Sequence, residues 1–269
     1  MKKYNQNEML KDKYILITGA GGLMGKEFSS ALHEIGANLI LTDKNISLID
    51  LKDFRNSKGK IILKKMDVTK ESSIKSVLNY LNNRKIYLYG LLNNAAIDPK
   101  VKRGFSKNFS KMENINLKTW NDHISVGLTG AWLCAKIFGL NMSKNKQGGV
   151  IINVGSDLSV IAPNHNIYKK GNFKPVMYSV IKHGIIGLTK YFATYWTYQK
   201  IKIRCNSISP GPVFFNQSKN FEKKIKKHIP LNRMATRGEY RGAIKFLFSN
   251  DSSYMNGHNL VIDGGRSIW

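Results

Sequence analysis

The chain has 269 residues, 42% of them hydrophobic and 22% charged. This is an ordinary globular mixture at a length where folding buries roughly 70 to 75% of the unfolded surface, so wholesale disorder is excluded. Lys plus Arg is 43 against 17 Asp plus Glu, a formal charge of +26 that would attract nucleic acid, anionic membrane or phosphorylated molecules. Most of these cations are lysines spread along the whole chain, which speaks for composition rather than a specific nucleic-acid partner.

In chain order, the opening MKKYNQNEML carries charge with no apolar stretch behind it. No apolar run nears the roughly 20 residues of a bilayer span, so a cytoplasmic protein without membrane association is expected. Apolar runs rich in Ile, Leu and Val then alternate with longer helical patterns, the signature of βαβ units around a buried parallel sheet. The expected strands are Tyr14–Thr18, Asn38–Thr42, Ile61–Met66, Leu88–Asn93, Val150–Val154, Lys202–Ser207 and Leu260–Ile262. The expected helices are Met24–Ile35, Glu71–Leu81, Leu117–Met142, Val176–Tyr198 and Arg237–Phe248, the last opened by a Thr236/Glu239 capping box. Together they predict one domain over 1–269: an α/β, Rossmann-type doubly wound parallel sheet of about seven strands, with helices on both faces. Two long irregular stretches, Ile97–Asn116 and Asp157–Lys174, stand out, since loops of that length are usually functional or disordered. The lysine-dense KNFEKKIKK places Phe221 and Ile225 at helical spacing, as in an amphipathic surface helix. Cys134 and Cys205 lie in apolar contexts without metal-binding or disulfide spacing.

The first strand runs into Gly19-Ala20-Gly21-Gly22-Leu23-Met24-Gly25 and then a helix, the context of a dinucleotide-binding turn. Lacking a Cβ, such glycines let the backbone approach a pyrophosphate at the helix's positive end. Asp43 ends the second strand, where a carboxylate would bond the adenosine ribose hydroxyls. This favours NAD, although the adjacent Lys44 leaves NADP open. Asp67 and Val68 follow the third strand, and Asn94 and Ala95 follow the fourth, at the carboxyl ends where open α/β sheets bind ligands. Tyr178 and Lys182 stand four residues apart on one helix face, so the ammonium stabilises a phenolate able to exchange a proton with an alcohol or carbonyl. Ser156, just past the fifth strand, would hydrogen-bond the reacting oxygen. Its competing role is a turn cap.

On these residues the chain resembles the single-domain branch of the short-chain dehydrogenase/reductase family from Tyr14 to the carboxyl terminus. The likeness includes the NNA element, Pro210-Gly211-Pro212-Val213 and Asp263-Gly264-Gly265. It implies that Ser156, Tyr178 and Lys182 are catalytic: Tyr178 as acid/base, Lys182 binding the nicotinamide ribose and lowering the tyrosine pKa, Ser156 orienting substrate. It also implies cofactor contacts from Gly19, Gly22, Met24, Gly25, Asp43, Asp67, Val68, Asn94, Ala95, Pro210, Gly211 and Val213. The stretches VGLTGAWLCAKIFG, SDLSVIAP and DGGRSIW are similar to oxidoreductases of bacterial surface-glycan loci, including the flagellin-modification PtmA type, which implies sugar chemistry. A homodimer or homotetramer through the helices at 117–142 and 176–198 is implied as well.

Three departures from the family pattern matter. Leu23 stands where the branch has a small residue. Gly127 stands where the family has an asparagine, so either another group, such as a nearby backbone carbonyl, replaces that side chain near Lys182 or turnover is compromised. The separation from Ser156 to Tyr178 is lengthened within Asn164–Lys174, which predicts an extra wall of the substrate pocket with Tyr168, Lys169 and Lys170 as polar contacts. Two other functions compete with the oxidoreductase: a sugar epimerase or dehydratase using NAD without net redox, and a non-catalytic nucleotide sensor. The histidines His123 and His183 and the stripe Tyr191, Tyr195, Tyr198 are expected to pack rather than react.

Overall fold

The computed structural model describes residues 9–54, 59–97 and 110–269. Most of the stretch expected to be irregular at 97–116 lies outside them, as does most of the amino-terminal decapeptide. Seven strands form one sheet: β1 (Tyr14–Thr18), β2 (Asn38–Asp43), β3 (Ile61–Lys65), β4 (Gly90–Asn93), β5 (Gly149–Val154), β6 (Ile203–Pro210) and β7 (Asn259–Ile262). Every pairing is parallel, in the order β3-β2-β1-β4-β5-β6-β7. The order reverses between β1 and β4, which opens a crevice beyond the strands' carboxyl ends.

A sheet buried on both faces needs near-continuous apolar runs, and residues 15–17, 39–41 and 150–152 supply them in β1, β2 and β5. Ile15, Ile17, Leu39, Leu41, Val150 and Ile152 share one buried cluster with Phe28, Leu32 and Phe248. Leu16, Ile40 and Ile151, between them in sequence, pack on the other side with Phe138, Phe192 and Trp196. The first face is covered by α1 (Leu23–Glu34) and α7 (Arg241–Phe248), the second by α2 (Glu71–Asn83), α4 (Gly130–Met142) and α5 (Val176–Tyr198).

The long helix expected over 117–142 is three segments in line: α3 (Leu117–Ile124), a π turn at Ser125–Thr129, and α4. Contrary to expectation, it is long and apolar enough by length and composition to cross a membrane. Its apolarity has a local cause, because 56% of its most apolar window is buried inside the protein. The short α6 (Lys219–Ile225) buries Ile225 and packs Phe221 beside it, leaving Lys219 and Lys223 to solvent while Lys224 donates to the Asn166 carbonyl at 2.9 Å.

Two strand boundaries differ from expectation by more than one residue, for physical reasons. β6 extends to Pro210 because the hydroxyls of Ser207 and Ser209 both donate to Asn259 Oδ1, at 2.9 and 2.8 Å, which makes buried serines acceptable within a ladder. β4 begins at Gly90 because the Leu88 N–H donates to the Asn141 side chain (2.9 Å) instead of a neighbouring strand. The capping residues lead into a 3-10 turn, Arg237–Tyr240, before α7, and Glu239 accepts the Thr236 N–H at 2.6 Å.

Candidate active site

The glycine turn between β1 and α1 is a matter of close approach. Gly19 has φ +63°, and a Cβ on it would stand 2.8 Å from the Ala95 Cα. A Cβ on Gly25 would stand 2.3 Å from the Gly19 carbonyl oxygen, so α1 can start this close to the turn only with glycine there. Gly22 is the N-cap of α1 and makes no side-chain cap bond, and Leu23 and Met24 begin the helix. Amides at such a terminus, not capped by a side chain, suit a phosphate anion. Leu23, noted above as a departure, simply occupies the first helical position and leaves this geometry intact.

Asp43 ends β2 with its carboxylate beside the turn, accepting N–H bonds from Gly21 (3.0 Å) and Asn45 (2.9 Å). Asp67 accepts from the Thr69 N–H (3.0 Å) and hydroxyl (2.7 Å) and pairs with Lys44 at 3.4 Å. Burial alone would raise its pKa, but the Thr69 bonds and Lys44 together hold it below the ordinary carboxylate value. Val68 beside it is buried.

Asn94 has a second role that its place after a strand does not reveal. Its amide donates to the carbonyls of Thr18 (3.1 Å) and Gly19 (2.9 Å), while the Asn94 and Ala95 N–H groups both donate to Thr18 Oγ1 at 3.0 Å. The pair therefore lashes the end of β4 to the glycine turn. Pro210 closes β6, Gly211 donates its N–H to Ile262 (2.8 Å), and Val213 bridges to Ala235. These elements all sit at the carboxyl ends of the strands.

Ser156 follows β5 as the cap of a 3-10 turn, Asp157–Ser159, and is buried. The capping role and placement at the crevice thus coexist. α5 starts at Val176 after Pro175 and carries both Tyr178 and Lys182. The Lys182 ammonium is 5.7 Å from the Tyr178 ring centroid, buried, and donates to the Val154 carbonyl at 2.8 Å. That carbonyl, at the end of β5, holds the ammonium directly. Gly127 lies in the π turn, and a Cβ there would meet Ile181 Cγ2 at 2.8 Å, so the isoleucine has taken the room of a side chain at that position.

The lengthened segment supplies two groups. Lys174, which sequence reasoning did not single out, holds its ammonium 3.5 Å from the Tyr178 ring centroid, on a ring that Lys182 also approaches. Its signal was a second four-residue spacing, Lys174 to Tyr178, hidden because Pro175 separates Lys174 from the helix. Tyr168 packs on Phe221 (ring centroids 5.6 Å apart). Burial raises its pKa against the fields of Lys174 and Arg266, and Tyr178 and Asp157 are also near enough to act on it. Tyr168 is half-buried, whereas Lys169 and Lys170 are exposed.

Other expectations sort cleanly. His123 is buried, as packing requires, but His183 is exposed with Nδ1 3.0 Å from the Ser179 carbonyl. Tyr191, Tyr195 and Tyr198 are exposed as well, so this stripe is a surface feature and not core. Both cysteines are buried free thiols whose pKa is driven up by burial. An open cleft of about 460 Å³, lined by Tyr89, Lys202 and Arg204 among others, lies at the amino ends of β5 and β6 and shares nothing with this residue set.

A glycine turn feeding a helix, a parallel sheet ordered outward from β1, and a Tyr/Lys pair beside a strand-end serine define a nucleotide-dependent oxidoreductase fold. Comparison with known proteins agrees. A family model described as enoyl-(acyl carrier protein) reductase matches residues 19–267. The 2-dehydro-3-deoxy-D-gluconate 5-dehydrogenase of Bacillus subtilis (strain 168) is 32% identical over 95% of each chain. The NAD-dependent glycerol dehydrogenase of Listeria innocua is 28% identical over 99% of this chain and 98% of its own. A short chain dehydrogenase from Leptospira borgpetersenii, solved with bound NAD+, superposes with a TM-score of 0.87 at 30% identity, covering 100% and 98% of the two chains. The chain belongs to the short-chain dehydrogenase/reductase family, whose members use NAD(P).

Proposed function

We propose that the protein moves hydride between NAD(H) and a secondary alcohol or ketone on a sugar or sugar-derived substrate, acting as one catalytic unit over its length. The observation that carries this reading is Tyr178 on one helix with Lys182, its ring approached by two ammonium groups at the mouth of the sheet crevice. The glycine turn and the N-terminus of α1 would hold the pyrophosphate, Asp43 the adenosine ribose, and Lys182 the nicotinamide ribose. Asp67, Val68, Ala95, Pro210, Gly211 and Val213 would border the dinucleotide. Bound NAD supplies the hydride acceptor or donor. Tyr178 takes the proton of the alcohol, or returns one to the carbonyl, and the nearby ammonium groups stabilise the phenolate. Ser156 holds the reacting oxygen in line.

NAD is favoured over NADP because the Asp43 carboxylate would repel a 2′-phosphate, a repulsion that the exposed Lys44, 3.4 Å from Asp67, offsets only in part. Sugar chemistry is supported by the named activities of the relatives above, and a setting in surface-glycan biosynthesis by the stretches noted in the sequence. A cytoplasmic homodimer or homotetramer fits this reading, since Trp132, Leu140, Val180, Tyr191 and Tyr195 leave apolar surface on α4 and α5. The test is NADH formation from NAD+ with a panel of glycerol, pentitols and aldonic acids, repeated with NADP+. Turnover with NAD+ at least ten times more efficient than with NADP+ is expected. No reduction of either cofactor across the panel, despite tight NADH binding, favours the sensor alternative.

A further inference from the structure

The carboxylate immediately after Ser156 has no task in the chemistry above, yet it belongs to a deeply buried ion pair. Asp157 is 3% exposed and Arg266 is 7% exposed. The Arg266 Nη1 donates to Asp157 Oδ2 across 109 residues of sequence. The other oxygen, Oδ1, accepts from the Ser156 hydroxyl and the Leu158 N–H, both at 2.8 Å. Ser156 is also held through its backbone: its N–H donates to Ser159 Oγ (3.0 Å) and its carbonyl accepts from the Ser159 N–H (2.8 Å). Exchanging such a pair for apolar residues is often neutral or stabilising, so stability alone gives no reason for burying these charges here.

We propose that Asp157 and Arg266 are positioning residues that fix Ser156 Oγ for the reacting oxygen, which makes the carboxyl-terminal segment part of the catalytic apparatus. The inference rests on the reading of Ser156 given above. A serine hydroxyl has one proton and turns freely about its Cα–Cβ bond unless something holds the oxygen. Asp157 accepts that proton and fixes the rotamer. Arg266 neutralises the carboxylate, weakening its competition for the proton, so the O–H can swing to the reacting oxygen while the Leu158 N–H, shared between Asp157 Oδ1 (2.8 Å) and Ser156 Oγ (3.2 Å), keeps Oγ in place. Arg266 is itself delivered by a rigid turn. Asp263 accepts N–H bonds from Gly265 (2.9 Å) and Ser267 (2.8 Å), and the Gly264 carbonyl accepts from Leu231 (3.2 Å).

The test is a set of variants, Asp157→Glu, Asp157→Asn with Arg266→Gln, and each of these in a Ser156→Ala background. Turnover is followed with NAD+ and whichever of glycerol, D-arabinitol and D-gluconate reacts fastest. The neutral Asn/Gln pair is expected to lower kcat about 10- to 100-fold with NADH affinity changed less than about twofold. Asp157→Glu keeps both charges but displaces the acceptor, and is expected to lower kcat about tenfold with NADH affinity held within about twofold; it serves as well if the neutral pair does not fold. In the Ser156→Ala background both losses should shrink below about twofold, because residues acting through the serine have nothing left to position. Losses that persist undiminished without the serine, or unchanged kcat in the Glu variant, would overturn the proposal. Full turnover by Ser156→Ala alone would instead remove the underlying role of Ser156.

Discussion

The two ends of the crevice are built in different ways. At the nucleotide end, the parts that meet are neighbours in the chain or on adjacent strands: the Gly19–Gly25 turn, Asp43 one strand over, and Asn94 lashed to Thr18. At the proposed substrate end, Ser156 is linked through Asp157 to Arg266, the Tyr178 ring is faced by Lys174 from an extra segment, and Tyr168 leans on Phe221 of α6. Backbone geometry makes the first end, and side chains from distant segments make the second. One fold can therefore keep its cofactor while the substrate changes.

The sharpest way to separate the two ends is Tyr178→Phe. It should cut kcat by about 10²- to 10⁴-fold, the usual worth of a positioned acid/base, while NADH affinity measured by fluorescence titration stays within about twofold. The converse is Gly25→Ala. Its methyl would press on the Gly19 carbonyl at 2.3 Å, and overpacking of this kind costs about 1–3 kcal/mol. Calorimetry should show weakened NADH binding and a lowered Tm.

Gly127→Asn tests whether the missing family side chain can simply be restored. Because Ile181 fills that room, the change should cost about 1–3 kcal/mol in chemical denaturation and bring no gain in turnover. Pairing it with Ile181→Ala should recover part of the loss. The smallest effect belongs to Glu239, far from the comparison's centre. The hydrogen bond from Arg233, with that from the Thr236 N–H, holds its pKa at about 2, below the ordinary 4.5. A depressed folded-state value means its contribution is full above pH 4.5 and fades as pH falls toward 2. Glu239→Gln should therefore lower Tm at neutral pH, by about 1–3 °C for a pair this exposed, with the difference from wild type vanishing in acid.

The same contrast explains what was legible in the sequence. Strand β1 and helix α5 have the bounds that their apolar period and flanking Thr18 and Pro175 suggest, since burial on both faces and helix-start chemistry are local signals. The sequence pattern of β6 stops at Ser207, because a buried serine reads as polar until Asn259 is known to accept its proton. Tyr178 and Lys182 could be paired from spacing alone. Asp157 and Arg266 could not, because a contact across 109 residues leaves no periodic trace. Lys169 and Lys170 looked equivalent to Tyr168 for the same reason: which of three adjacent residues turns inward is decided by Phe221, a residue from another segment.

The most direct measurement is a crystal structure with NAD+ bound. The account requires the pyrophosphate on the Gly19–Gly25 turn, the nicotinamide ribose on Lys182, and the ring facing the Tyr178 hydroxyl across a gap that a substrate carbon fills. A dinucleotide seated elsewhere, or a nicotinamide with Tyr178 turned away from it, would contradict the account.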